Sequence, residues 1–591
     1  MSVTGDKSFK RLIEIGLALS QERDHNLLME KILQEAKALC NADAGTLYLR
    51  SEDDTLRFEI MLNDSKPELN AGGTSGNPVP TFPIRLYNEE TGEPNHKNVA
   101  SHVALSGKTI NIPDAYEADE FDFSGTKGFD EKYNYRSTSF LTVPLKNHSG
   151  DVIGVLQLLN AKDLDTGQPT PFNETIQPLI EAVTSQAAVA LDNQNLIQSQ
   201  KRLLDSFISV LAGAIDAKSP YTGGHCQRVP ELAMMLADAA SKSTEGIFVD
   251  FDLNEEQHYE MNIAALLHDC GKVTTPEYVV DKATKLETIY DRIHEIRTRF
   301  EVLKRDAEID CLKAIIAGGE ERVLRKELAE KHRQLGENFA FIATANIGGE
   351  YMSDEDIARI EEIGNIEWVR TLDNRIGVSH EELRRMESAE YAPVPALEKL
   401  LVDRPEHIIE RDAANKTPED NPLNFKMDEP KDLYNRGEVY NLIVRRGTLT
   451  TEERYKINHH MVQTVSMLDQ LPFPPHLKNV PEIAGAHHET MIGTGYPRGL
   501  KKEDMSLPAR IMAIADIFEA LTACDRPYKK AKTLSESVRI LSFMKLDNHI
   551  DPDLFELFLK SGVYLEYAEK RLMQNQIDHV EIGQYLETGI G

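Results

Sequence analysis

One apolar register restricts this chain more than any other feature. Val183, Ala187, Ala190, Ile197, Leu204, Ile208, Leu211 and Ile215 fall on a single alternating 4,3 spacing, broken only by Gln194 and Lys201. A seam of that spacing predicts a long helix paired with a parallel partner helix as a coiled coil, and hence a homodimer. The same stripe suits an amphipathic helix packed on its own domain, but polar residues at seam positions favour a partner of fixed register. The helix divides the chain into a segment 1–180, a connector 181–216 and a longer remainder.

Composition narrows the class. The 591 residues carry 66 Lys+Arg against 97 Asp+Glu, a net charge of −31, with 41% hydrophobic and 28% charged residues. That is globular material, with room for about three to five domain-sized pieces. The acidic balance argues against bulk electrostatic binding of nucleic acid or an anionic membrane, and leaves space for a local basic pocket. Cys40, Cys226, Cys270, Cys311 and Cys524 form no CxxC pair, so neither a disulfide framework nor a zinc knuckle is expected. Met1 to Asp24 has no continuous apolar run, and nothing downstream approaches a membrane-spanning stretch. The expectation is a soluble, cytoplasmic protein without membrane insertion.

Segment 1–180 alternates helix and strand. Leu27, Leu28, Ile32 and Ala36 recur at helical spacing, Thr46–Arg50 and Leu56–Ile60 alternate like hairpin strands, and 64–98 reads as a long Gly/Pro/Asn-rich loop. Strand signals return at Phe140–Leu145 and Val152–Leu158. This is an α+β domain with an antiparallel sheet. The order of these elements, with Gly107–Ala115 and Tyr135–Leu145 between them, resembles a GAF sensor domain. The resemblance implies a small ligand of unknown identity, a cyclic nucleotide or tetrapyrrole among the possibilities, or a dimer scaffold. The Phe129-Asp-Glu131 run resembles part of the acidic signature of cyclic-nucleotide-binding members; the alternative is a loop in which Asp130 caps a turn.

Residues 287–445 have a different texture, with charged helical runs followed by a Pro/Asn/Asp-rich stretch from Pro405 to Pro430. Gly318-Gly-Glu-Glu321 looks like the active-site tetrapeptide of diguanylate cyclases. Its flanks, Leu312–Ile316 and Arg322–Leu328, predict helix, turn, helix instead, and a cyclase is rejected.

The chemistry lies on either side of that segment. Leu266-Leu-His-Asp-Cys-Gly-Lys272 sets an imidazole beside a carboxylate at the end of an apolar helical run. His225 lies upstream; His460, His487, His488 and Asp516 lie downstream. Imidazole and carboxylate donors suit Fe, Mn, Zn, Ni or Co. Five histidines and two aspartates are too many for one ion, and an aspartate shared by two ions would hold a hydroxide poised for in-line attack on phosphorus. Taken singly, each histidine also reads as a hydrogen-bonded core residue, and His258, His294, His332 and His459 are left at that.

These residues resemble the HD-GYP branch of the HD-domain metal phosphohydrolases. The resemblance runs through His268–Lys272, His487–Pro497 with its Gly495-Tyr496-Pro497 tripeptide, Ala515-Asp516, Ala520–Thr522, Arg526-Pro-Tyr528 and Asp551-Pro552. It implies an all-α domain, 217–286 and 446–591, interrupted by a mostly helical insertion, 287–445. It also implies a metal-dependent hydrolase of cyclic di-GMP, giving pGpG or GMP. Carried over residue by residue, His225, His268, Asp269 and Asp516 hold one divalent metal, Fe or Mn. Asp269 bridges to the second, completed by His460, His487 and His488. Lys272 meets the scissile phosphate, while Gly495, Tyr496, Pro497, Arg526 and Lys529 contact substrate. The alternatives for Arg526 and Lys529 are an ordinary solvated basic cluster. Tyr221 stands where members with a third metal carry Glu, which implies a two-metal site, and Ile492 replaces an acidic loop residue. The alternative functions are a catalytically weak cyclic-dinucleotide receptor, or a hydrolase of another cyclic dinucleotide or phosphate ester.

Overall fold

The computed structural model describes residues 3–22, 24–218, 224–349, 351–418, 420–524 and 531–586. It divides into two units, Met1–Asp205 and Ser206–Gly591.

In the first unit, helices α1 (Val3–Gln21) and α2 (His25–Cys40) precede the hairpin β1 (Ala42–Arg50) and β2 (Thr55–Asn63). Asp24 caps α2 by accepting from Leu27 N–H, and Asn41 ends it in a left-handed conformation, φ 51°. The segment expected as one long loop holds two short strands, β3 (Ala71–Gly72) and β4 (Ile84–Arg85), both paired to β2. Two-residue pairings leave no alternating pattern to read. Then come α3 (Val99–Ser106), β5 (Ile110–Ile112), α4 (Ser124–Tyr133), β6 (Phe140–Lys146), β7 (Val152–Lys162), β8 (Pro169–Thr170) and α5 (Gln177–Lys218). The sheet is antiparallel, ordered β3-β2-β1-β7-β6-β5, with β4 on β2 and β8 on β7. Strand alternation sends Leu47 and Leu156 into a core with α1, α2 and the start of α5, and Tyr48 and Val155 into a second core under α3.

Phe129–Glu131 lies on helix α4 rather than in a loop. The buried Asp130 carboxylate accepts from Ser137 N–H and Oγ, each at 2.8 Å, and from Tyr116 OH at 2.9 Å. Its role is to fasten α4 to the strand that follows. Beside it a cavity of about 460 Å³ is lined by Tyr48, Phe58, Asn63, Phe129, Phe140 and Gln157, among others.

α5 is one 42-residue helix, and the seam expected from spacing is buried at some positions and exposed at others. Val183 and Ala187 are buried in the core of the first unit, and Ile208 and Ile215 are buried further along. Exposed apolar residues run along the helix at Val189, Leu196, Leu203 and Val210, each seven apart, and beside them at Phe207 and at the seam positions Ile197 and Leu211, with Leu203 at 71% and Val210 at 70% exposure. Packing of the first turns against the sheet takes Val183 and Ala187 inward, while Ile197 and Leu211 of the same stripe stay outside.

The second unit is chiefly helical. α6 (His225–Lys242) packs on α7 (Glu255–Leu267); a short α8 (Glu277–Val280) follows. α9 (Ile293–Ile316) and α10 (Glu321–Ile347) then form a helical pair. The turn between them uses Gly318 at φ 95°, so Gly318-Gly-Glu-Glu321 is a helix breaker. α11 (Asp354–Gly364), β9 (Glu367–Arg370), α12 (His380–Met386), β10 (Ala396–Lys399), β11 (Ile408–Glu410), β12 (Asp432–Asn435) and α13 (Glu438–Leu442) complete this region. A buried fork from Arg299 to Glu438, at 2.8 and 2.9 Å, ties its ends together. α14 (Thr451–Asn458), α15 (His460–Asp469), α16 (Val480–Gly485), α17 (Leu507–Thr522), α18 (Leu534–Leu546), α19 (Pro552–Lys560) and α20 (Val563–Arg571) follow. Asp551 is a structural residue: it caps α19 and receives Lys502 and Arg510. Among the described residues, no helix is long and apolar enough to cross a membrane.

Candidate metal centre

Four helix termini and one helix interior deliver the ligating side chains. His225 opens α6, His268 and Asp269 follow the last turn of α7, His460 opens α15, His487 and His488 follow α16, and Asp516 faces inward from α17. Gly271 sets how closely they converge. A Cβ there would lie 1.9 Å from the His460 carbonyl oxygen and 2.6 Å from Thr464 N, so only glycine lets the turn after Asp269 press on α15. Its N–H also donates to Thr464 Oγ1 at 2.9 Å.

The side chains gather in two groups, His225/His268/Asp269/Asp516 and His460/His487/His488, with potential ligand atoms within 4.8 Å of one another in each. Asp269 faces both. Its Oδ2 lies 3.3 Å from His225 Nε2 and 3.2 Å from His268 Nε2, and its Oδ1 lies 3.2 Å from His460 Nε2. Asp516 Oδ1 is 3.2 Å from His225 Nε2.

The opposite ring nitrogens are already committed. Nδ1 of His268, His460 and His487 meets the carbonyls of Ala265, Ile457 and Ala484 at 2.7, 2.6 and 2.7 Å, and Nδ1 of His225 meets Glu519. An imidazole whose Nδ1–H is donated presents its Nε2 lone pair to the interior. Asp269 Oδ1, His460 Nε2 and His487 Nε2 are buried without any hydrogen-bond partner. Lone pairs aimed at one another with no proton between them fit a cation. The cluster has the donor set and the unsatisfied atoms of a divalent metal site.

The protonation pattern of the metal-free cluster agrees. Burial opposes charge on His225 and His268, yet the carboxylates of Asp269 and Asp516 outweigh it, lifting His225 well above the usual range and His268 to about 9. Burial, reinforced by neighbouring imidazoles, lowers His487 to about 4 and keeps His488 neutral as well. Protons therefore stand in for cations in the four-ligand group, and His487 and His488 are neutral and ready to ligate. Lys272, partly exposed, places Nζ against Asp269 Oδ2, which holds it charged against burial.

The Gly495-Tyr496-Pro497 loop folds over the three-histidine group. Tyr496 stacks on His488, centroids 4.9 Å apart at 23°, and its N–H meets the His488 carbonyl at 3.2 Å. A Cβ on Gly495 would come within 2.4 Å of Glu489 Cα. Buried Glu489 shapes the loop by accepting from Arg498 N–H and Leu500 N–H at 2.7 and 2.9 Å. Arg526, Lys529 and Tyr221 lie outside the described residues.

Several residues emerge only in three dimensions. Buried Glu519, one turn beyond Asp516, holds His225 and is held by Arg228 Nε at 2.5 Å. Asp516 and Glu519 at an i, i+3 spacing in an apolar helix were the available signal. Arg498 keeps Nε and Nη2 buried without partners, and Thr464 and Glu489 carry no ligand-type signature.

The GAF domain family matches residues 24–191 and the HD domain family matches residues 395–554. The chain joins a GAF domain to an HD domain. This GAF–HD chain is 39% identical over 99 residues to a cyclic di-GMP phosphodiesterase of Pseudomonas aeruginosa, covering 17% of this chain and 23% of that one. It is 37% identical over 121 residues to a 3'3'-cGAMP-specific phosphodiesterase of Vibrio cholerae, covering 20% and 25% respectively. The chain thus spans about a quarter of the length of these curated relatives. The solved GAF domain/HD domain protein from Geobacter sulfurreducens aligns over 30% of this chain and 98% of its own, at 14% identity and a TM-score of 0.22.

Proposed function

We propose that the GAF–HD chain is a cytoplasmic, metal-dependent phosphodiesterase that hydrolyses cyclic di-GMP to pGpG or GMP, under control of its GAF domain. The observation that carries this reading is the division of Asp269 between two groups of nitrogen and oxygen donors. His225, His268, Asp269 and Asp516 would hold one cation; Asp269, His460, His487 and His488 would hold the other, as iron or manganese. When bound, such a pair supplies Lewis acidity toward phosphoryl oxygens and a nucleophile from water at neutral pH.

The chain's own residues do the rest. Lys272 offers a fixed positive charge beside Asp269 for the charge that builds on phosphate. The stacked Tyr496 and His488 rings give a flat wall suited to a nucleobase. Arg498, with buried unpartnered N–H groups, is a further candidate for phosphate. The aromatic and amide-lined GAF cavity is of a size for a small heteroaromatic ligand. A second copy of the chain would cover Leu196, Leu203 and Val210 on α5.

The relatives' printed substrates differ in one base, which favours 3'3'-cGAMP as the second reading. The test is anaerobic loading with Fe(II) or Mn(II), metal analysis, and turnover of both dinucleotides. About two cations per chain with product formation that disappears in Asp269→Ala supports the proposal. Two cations with both dinucleotides intact leaves a receptor.

A further inference from the structure

A segment of the region between the two halves of the metal site reaches back to that site. The described residues of 411–432 are folded around buried Arg411, which donates to the carbonyls of Pro430, Asn415 and Asp432 at 3.0, 3.0 and 3.2 Å. Asn421 and Phe425 exchange hydrogen bonds at 2.8 and 2.9 Å, fixing the turn at the tip. From that tip Lys426 N–H donates to the Pro497 carbonyl at 2.8 Å. At the other end the Arg411 guanidinium lies 4.8 Å from the centre of the Tyr455 ring. Tyr455 OH donates to Glu429 Oε1 at 3.2 Å, an oxygen that also receives Thr417 N–H.

Both anchor points support the same half of the site. Pro497 follows Tyr496, whose ring lies on His488. Tyr455 sits on α14, and its carbonyl receives the N–H of His459, the residue before His460. Among the described residues, the hydrogen bonds of 411–432 to the rest of the HD domain run to Pro497 and Tyr455. None of these bonds reaches a described residue of α6, α7 or α17, which carry the four-ligand group; α6 and α17 are joined through His225 and Glu519, and the turn after α7 rests on Thr464 of α15.

We infer that segment 411–432 is a positioning clamp for the three-histidine group, setting its affinity for a cation separately from that of the four-ligand group. The inference rests on the two-cation reading. A clamp through outer contacts of this kind is worth about 10–100-fold in metal affinity. Lys426→Pro removes the amide donor, whereas Lys426→Ala keeps it; Arg411→Met and Tyr455→Phe loosen the opposite anchor.

The experiment is equilibrium titration of each metal-free full-length chain with Mn(II) alone, counting bound ions, with circular dichroism as the check on folding. Wild type and Lys426→Ala should bind two ions. Lys426→Pro, Arg411→Met and Tyr455→Phe should retain one at wild-type affinity and bind the other at least about 10-fold more weakly. Unchanged binding of both ions in the folded variants overturns the clamp, and so does equal weakening of both. If Lys426→Pro does not fold, the milder Tyr455→Phe decides. A wild-type chain that binds fewer than two ions defeats the two-cation reading first.

Discussion

Glu519 is the most informative residue to change, because it touches a ligand without being one. Its buried carboxylate accepts from His225 Nδ1 and from Arg228 Nε. Glu519→Gln keeps the shape and an acceptor oxygen but removes the charge that orients the imidazole and raises its basicity. Loss of such a partner costs about 10–100-fold in metal affinity, or about 1.4–2.8 kcal/mol. Folding stability falls too, since the charged hydrogen bond between Arg228 and Glu519 is weakened. Breaking a fully buried pair costs about 3–5 kcal/mol, but Arg228 is 23% exposed and can recover water, so about 1–3 kcal/mol is expected. The assay is a Mn(II) binding isotherm beside a thermal melt, with Glu519→Asp as the variant that keeps the charge. Weakening should fall on the four-ligand site, and Glu519→Asp should recover part of it. An isotherm for Glu519→Gln that overlays wild type would refute the claim that this carboxylate tunes His225.

Gly271→Ala should destabilise the HD domain by about 3 kcal/mol or more, because the added methyl meets backbone atoms that cannot move aside; chemical denaturation measures it. Gly318→Ala, in the left-handed turn between α9 and α10, should cost about 1–2 kcal/mol and leave the metal content at the wild-type value by elemental analysis. Cation affinity should rise with pH toward about 9, because His268 must release its proton to ligate; an affinity independent of pH between 6 and 9, as about one proton per histidine would forbid, counts against it. In the metal-free chain the raised His268 contributes stability below about 6.5 that is lost as pH rises through about 9. The lowered His487 acts oppositely, its contribution present above about 6.5 and lost as pH falls toward about 4. Melting temperature against pH, with a chelator present, resolves the two.

The ligating types at the metal site were legible because few side chains can do that work. His and Asp at helix ends with apolar neighbours leave a pattern that survives the 190 residues between Asp269 and His460. Glu519 is hard to read from sequence because an acid in a helix ordinarily faces water, and only the packing of α6 on α17 turns it inward. The α5 seam was legible only in part. Spacing located the helix and its apolar character, but Val183 and Ala187 are claimed by the sheet, and no local pattern says which positions of a stripe a tertiary core will take. The strands of the GAF domain were readable where they alternate over several residues and unreadable where two residues pair.

The link between Lys426 and Pro497 is made by main-chain atoms on both sides. Any residue that retains an amide hydrogen can stand at 426, so its side chain is free to drift in evolution while the conformation of the tip is held. Proline is the one substitution that the geometry forbids outright. Two positions joined in this way would show no covariation, and comparison of side chains across descendants of this gene would pass over the contact; its heritable trace would be the length of the segment and the residues that fold it, Arg411 and Asn421.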